Sequence, residues 1–344
     1  MKKERIFYLD FVRAIATIAI LLTHYNALYV YMADESVMTK VVLTSRVANL
    51  YIGDFGVSLF LIISGASLMY VYQDRLELGN FYKKRFWNIY PMFWIAFFAA
   101  FMYSFWKWKG LNSSTPKINI LLSVIGMDGY LSTVVPTFYK VGEWFLGFII
   151  IMYVVFPLLR ICVLKFPKIT VICTMIVYII SHLFYSLPLT ESTFLLTRLP
   201  EIIFGMLFVV YMKKVKTSWF IVSLLVIAAN TILQPAWSSN IQTTYVGIAS
   251  FLVLTWLATY VGKISVVQSI CKTVSKYSYA IFLVHHYIIY EICEKFPLQS
   301  ISVLESYLLF LLCCCVIAFF AKILFEANRY VVAWMKNWRG ITLK

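Results

Sequence analysis

The chain has 344 residues, of which 62% are hydrophobic, 18% aromatic and only 13% charged. That charged fraction is about half that of an ordinary soluble domain, which excludes a soluble globular enzyme and predicts an all-α, polytopic integral membrane protein. The formal charge of +15 would point to nucleic acid in a soluble protein; in a membrane chain it follows from Lys and Arg kept on the cytoplasmic side, so no nucleic-acid partner is expected. The seven cysteines are irregularly spaced. Cys313, Cys314 and Cys315 sit in an apolar run without His or carboxylate at ligand spacing, so they are expected to be small hydrophobes in helix or lipid contacts, and no metal site is expected.

A membrane crossing needs about 20 apolar residues. Apolar runs at 8–32, 51–72, 91–106, 141–161, 169–187, 195–212, 217–234, 244–262, 277–296 and 302–325 therefore predict about ten transmembrane helices. They fill 1–344 as a single transmembrane domain with no room for a separate soluble one. The first run is long, interrupted by charge and not followed by a small-residue cleavage site, so it is expected to remain in the membrane. With the N-terminus inside, segments 1–7, 73–90, 160–168, 213–216, 263–276 and 326–344 become cytoplasmic. They collect about 20 of the chain's 30 Lys and Arg, so both termini are expected to be cytoplasmic. The long connection 107–140 then falls outside; its apolar middle is too short and too rich in Gly and Ser to span, and it is expected to form a surface or re-entrant element over the outer mouth.

Charged and polar side chains within spans are costly and normally mark a pathway or a site. The stretch LDFVRAIATIAILLTHYN at 9–26 carries three: Asp10, Arg13 and His24. Arg13 and His24 are eleven residues apart, which puts them on nearly the same helix face, three turns or about 16 Å from each other. Arg13 is then close to the cytoplasmic surface and His24 in the outer half of the membrane. Asp10, one turn before Arg13, is placed to orient it.

The pattern LDFVRAIATIAILLTH, an Arg followed by ten residues and a His, resembles the first helix of the membrane acyltransferase-3 family, bacterial O-acyltransferases that modify cell-surface glycans. More motifs follow in the family's order. GVSLFLIISGASL at 56–68 looks like its second helix with the Ser64-Gly65 pair. FYKKRFWNIYPMFW at 81–94 is similar to its basic loop and Ile-x-Pro helix start. WFLGFIIIMYVVFPLL at 144–159 fits its Trp-led helix ending in Pro, and SKYSYAIFLVHH at 275–286 resembles its Ser-Tyr, Leu-x-His helix. The resemblance covers essentially the whole chain. One departure is that the family's basic loop has a second Arg three residues after the first, where this chain has Asn88 after Arg85.

The resemblance implies a membrane O-acyltransferase of the bacterial plasma membrane that moves an acetyl group from acetyl-CoA to a hydroxyl of a surface polysaccharide or its lipid-linked precursor. Lys83, Lys84, Arg85 and Arg13 would hold the coenzyme A phosphates through charge-assisted hydrogen bonds. The pantetheine arm would run along the first helix to His24, with Arg13 and Asp10 completing the catalytic set. His24 would act as general base toward the acceptor hydroxyl, or be acylated itself and pass the group on. Glu143 with Trp144, Arg198 with Glu201, and His285 are candidate acceptor contacts, since carboxylates and aromatic faces suit sugars. His286 and the Ser64-Gly65 pair are expected to be structural, His182 has no evident partner, and Phe60, Phe86 and Trp87 suggest a narrow donor site. Some relatives carry a C-terminal extracytoplasmic hydrolase-like domain, so this chain is expected to deliver the group directly or through a separate extracytoplasmic partner. A glycan exporter would also need a polar lining across the membrane, and a scaffold in a glycan-assembly complex would need none of these residues for chemistry.

Overall fold

The computed structural model describes residues 4–32, 34–110 and 114–338. The long apolar runs become helices because a backbone in lipid must satisfy its polar groups internally. In chain order these are α1 (Phe7–Val30), the one-turn α2 (Glu35–Met38), a two-residue hairpin of β1 (Arg46–Val47) and β2 (Leu50–Tyr51), α3 (Ile52–Tyr72) and α4 (Leu78–Trp108). Two short helices follow, α5 (Ile120–Ile125) and α6 (Asp128–Leu131), then α7 (Glu143–Lys165), α8 (Pro167–Leu183) and α9 (Leu199–Leu207). The chain ends with α10 (Thr217–Leu233), α11 (Ser239–Val261), α12 (Ser265–Cys293) and α13 (Val303–Trp338).

Each of the ten apolar runs falls on a helix. Among the described residues six of these, α1, α3, α4, α7, α11 and α13, are long and apolar enough to cross a membrane, while α8 and α10 are apolar but shorter. α9 has only 9 residues, and α12 has 29 but is more polar.

Three boundaries differ from the hydropathy pattern for one reason: a helix does not stop where its lipid contact stops. α4 begins at Leu78 and runs through Pro91, so the segment expected to be a basic loop is helical. Pro91 costs one backbone hydrogen bond, but Phe81, Trp87 and Ile89 give the preceding turns a buried face. α12 likewise begins at Ser265 rather than near 277, and α13 continues past 325. The hairpin was not legible at all. Its turn residues Ala48 and Asn49 both take positive φ, 48° and 64°, as a type I′ turn requires, without the glycine that usually announces one. Asn230 Nδ2 donates to the Ala48 carbonyl at 2.8 Å and holds it.

α3 lies at the centre, packed on α1, α9 and α11, while α12 fits between α1 and α13. Small residues set the closest approach. A Cβ on Gly65 of α3 would stand 2.2 Å from the Ile202 carbonyl oxygen of α9, and one on Gly205 of α9 would stand 2.0 Å from the Ile62 oxygen of α3. The two glycines are reciprocal, each making room for the other helix's backbone, which gives Gly65 the packing role expected of it. On the other side, Gly53 packs on Thr23 and Gly56 on Ala19 and Ile20 of α1. The start of α3 is thereby brought level with His24.

Candidate active site

A cavity of about 690 Å³ is enclosed by α1, α3, α4, α7 and α12. Its lining includes Arg13, Arg85 and Asn88 toward one end and His24, Asp54, Glu143 and His286 toward the other, with Phe60, Ser64 and Trp144 also on the wall. Cations and acid–base groups, far apart in sequence, thus face one volume.

At the cationic end Arg13 Nη1 donates to Ser275 Oγ at 3.0 Å and Nη2 to Ser67 Oγ at 3.2 Å. Asp10 does not orient Arg13 directly as expected. It is buried, pairs with Arg5 and accepts from Ser275 Oγ at 2.6 Å, so Ser275 is the bridge between them. Asp10 is not on the cavity wall and meets Arg13 through Ser275. Of the basic stretch on α4, only Arg85 reaches the cavity; Lys83 and Lys84 are exposed and point elsewhere, because neighbours on a helix diverge by about 100°. The Arg85 guanidinium lies 5.4 Å from the Tyr153 ring centroid and 5.7 Å from that of Tyr72, whose hydroxyl accepts from Nη2 at 3.3 Å. Asn88, one turn on, lines the same end.

At the other end His24 lies between two histidines of α12, with ring centroids 4.7 Å from His285 and 4.6 Å from His286. Their placement is the reverse of the one expected. His286 is on the cavity wall and its Nδ1 donates to Glu143 Oε1. His285 is completely buried and off the wall; its Nδ1 faces the Phe282 carbonyl at 2.8 Å, which makes that nitrogen the proton carrier and leaves Nε2, buried and without a hydrogen-bond partner, with the lone pair. His24, Glu143 and His285 hold atoms of metal-ligand type within 4.8 Å of one another. That spread compares with roughly 3.4 Å between the ligands of a tetrahedral zinc, and Glu143 is already engaged by His286. The cluster is better fitted to holding and moving a proton.

Glu143 is positioned by its backbone. It follows Gly142, φ 101°, and itself has φ 43°, a left-handed conformation that a residue with a Cβ adopts at a cost. The segment expected over the mouth imposes it. α6 packs on the start of α7, where a Cβ on Gly129 would come within 2.5 Å of the Glu143 carbonyl group. α5 is tied to α4 by Trp94 Nε1 donating to the Val124 oxygen at 2.8 Å and Tyr90 Oη to the Ile125 oxygen at 3.1 Å. Asp128 in this cap is buried, and neither of its oxygens has a hydrogen-bond partner. Burial outweighs the nearby Ser123 hydroxyl and lifts its carboxyl from 3.8 to about 6. An acid raised by folding stabilises the folded form below its unfolded value, and that contribution is lost as pH climbs through about 6. Asp128→Asn is therefore expected to stabilise the fold at pH 7.5 by on the order of 3 kcal/mol at most, seen as a higher melting temperature, and to leave it nearly unchanged near pH 3; thermal melts at the two pH values check this.

Other expectations are revised by burial. Arg198 and Glu201 are not on the cavity wall: both are fully buried and pair with each other, Nε to Oε2 at 3.0 Å. His182, for which no partner was evident, bonds Glu191, which also accepts from Asn240 Nδ2 at 2.8 Å. Phe86 is exposed and Trp87 is buried off the cavity, which leaves Phe60 alone of that trio on the wall. Asp54 was missed. It lies two residues before the Gly56 that opens the second motif, and the only signal was a carboxylate at the start of an apolar run.

No curated protein and no solved structure matches the chain. The family model described as an acyltransferase domain matches residues 6–327, a span that includes both ends of the cavity and every helix lining it. The chain belongs to the acyltransferase-3 family and is a multi-pass membrane acyltransferase.

Proposed function

We propose that the protein transfers an acetyl group from acetyl-CoA to a hydroxyl of a surface polysaccharide or its lipid-linked precursor. It would sit in the bacterial plasma membrane, with about ten spans and both termini cytoplasmic. One observation carries this reading: a single cavity has two arginines at one end and a His–Glu–His cluster at the other. Phosphate and thioester are the two ends of an acyl-CoA, and their requirements differ in just this way. Phosphates need fixed cations; the acyl carbon needs a base, held away from the negative groups.

In this mechanism Arg13, fixed by Ser67 and Ser275, and Arg85, fixed by Tyr72, bind the donor's phosphates from the cytoplasmic side. Lys83 and Lys84 lie on the exposed faces of the same helix turns and add to the field that draws the anion in. The arm extends along α1 past Ser64 and Phe60 to His24. A neutral imidazole at His24 takes the acceptor's hydroxyl proton while its oxygen attacks the thioester carbonyl. The tetrahedral intermediate then collapses, the C–S bond breaks, and the imidazolium returns the proton to the departing thiolate. Glu143, held by His286, stabilises the transient imidazolium. A ping-pong route through acetyl-His24 would instead leave label on the protein when acceptor is absent.

The test is acetyl-CoA saturation of label transfer in membranes. Arg85→Ala should raise half-saturation about tenfold or more, the loss of a charge-assisted phosphate contact. Asn88→Arg, which restores a second Arg on the same helix face, should lower it several-fold. An exporter would show no acetyl-CoA-dependent label and no response to either substitution.

A further inference from the structure

We infer that Asp54 is an acceptor-binding residue and that it fits the acceptor end of the cavity to an uncharged, polyhydroxylated sugar. The inference deepens the acyltransferase reading and rests on it.

Asp54 is on the cavity wall, on the first turn of α3, next to the Gly53 that packs on Thr23; it is therefore level with His24. Arg198, which pairs with Glu201, is the one cation whose field reaches Asp54, and it offsets part of the cost of burying that carboxyl. Of the three side chains Asp54, Arg198 and Glu201, only Asp54 is on the cavity wall. Arg198 is 1% and Glu201 0% exposed, so neither can reach a substrate, and Asp54 is the member of this group that can.

No described group donates a hydrogen bond to the Asp54 carboxylate. Its oxygens can accept several, and in a confined, half-buried position a partner has to bring the donors. Sugar hydroxyls do so. Tyr31, Tyr51 and Ser192 also line the cavity, hydroxyl-bearing side chains suited to a neutral polyol; the Tyr51 hydroxyl donates to the Thr23 carbonyl at 3.3 Å and can still accept. A uronic acid or a phosphorylated sugar would place its negative charge between Asp54 and Glu143, with the wall's arginines, Arg13 and Arg85, at the far end. The same charge segregation that orients the donor excludes an acidic acceptor residue from the reacting position.

The test uses membranes carrying the full chain, labelled acetyl-CoA and the membranes' own acceptor. Asp54→Asn should reduce transfer at least about tenfold, the worth of a hydrogen bond to a charged group, with acetyl-CoA half-saturation and binding within twofold of native. Asp54→Glu should retain more transfer than Asp54→Asn, and label released from the native product should be found on an uncharged sugar residue. Transfer by Asp54→Asn at the native rate, a loss of acetyl-CoA binding in step with transfer, or label on an acidic residue would overturn the inference. If native membranes neither bind nor consume acetyl-CoA, the acyltransferase reading itself has failed, which is a separate result.

Discussion

His24→Ala is expected to reduce acetyl transfer by about 10²- to 10⁴-fold, the ordinary contribution of a positioned general base, while acetyl-CoA binding stays near native. The two effects separate because the binding groups are about three helical turns away. Neither neighbouring histidine is placed to take over: His285 is buried off the cavity wall and bonded through Nδ1 to backbone carbonyls, and His286 is committed to Glu143. Transfer and donor binding measured on one preparation at matched protein levels check this. Near-native turnover in His24→Ala would mean that His286 or Glu143 is the working base.

The largest effect on folding is expected at the α3–α9 crossing. In Gly205→Ala the new Cβ would stand 2.0 Å from the Ile62 carbonyl oxygen and 3.0 Å from the Ala66 nitrogen. Both neighbours are backbone atoms, so relief requires the helices to separate. Overpacking of a close-packed core costs about 1–3 kcal/mol and more where backbone must move, a large part of the 5–15 kcal/mol that holds a typical domain folded. Separation would also widen the cavity at Ser64, the neighbour of Gly65. The yield of folded protein extracted in mild detergent and its melting temperature should both fall for Gly205→Ala and Gly65→Ala. Gly79→Ala, with nothing within 4 Å of its Cβ, should leave both unchanged.

The helices were legible because length and hydropathy are properties of a local window, and so was the Arg13–His24 face, which needs only the 3.6-residue period. What the window does not contain was lost. The start of α4 at Leu78 depends on Phe81 and Trp87 finding a protein surface to pack on, and the hairpin depends on Asn230, 182 residues away from the carbonyl it holds. In the site, residue identity revealed Glu143 and Arg85 but not what they meet. His285 and His286 are adjacent and differ only in which side of α12 faces α1 and which the cavity, so His286 rather than His285 reaches the wall. Arg198 and Glu201 are candidate acceptor contacts by residue type and position at a helix start; they are internal because α9 lies against α3. Asp54 became visible only once the start of α3 lay level with His24 on the cavity wall.

In the proposed mechanism the donor-binding and acid–base groups share one cavity, which acetyl-CoA enters from the cytoplasmic face. The direct measurement is label transfer in sealed vesicles of known orientation, with acetyl-CoA supplied on one side at a time, for the native chain and for Arg13→Ala with Arg85→Ala. Label on the glycan only when acetyl-CoA meets the cytoplasmic face, with half-saturation raised at least about tenfold in the double variant, is the predicted result. Equal transfer from either face, or native saturation without the two arginines, would contradict it.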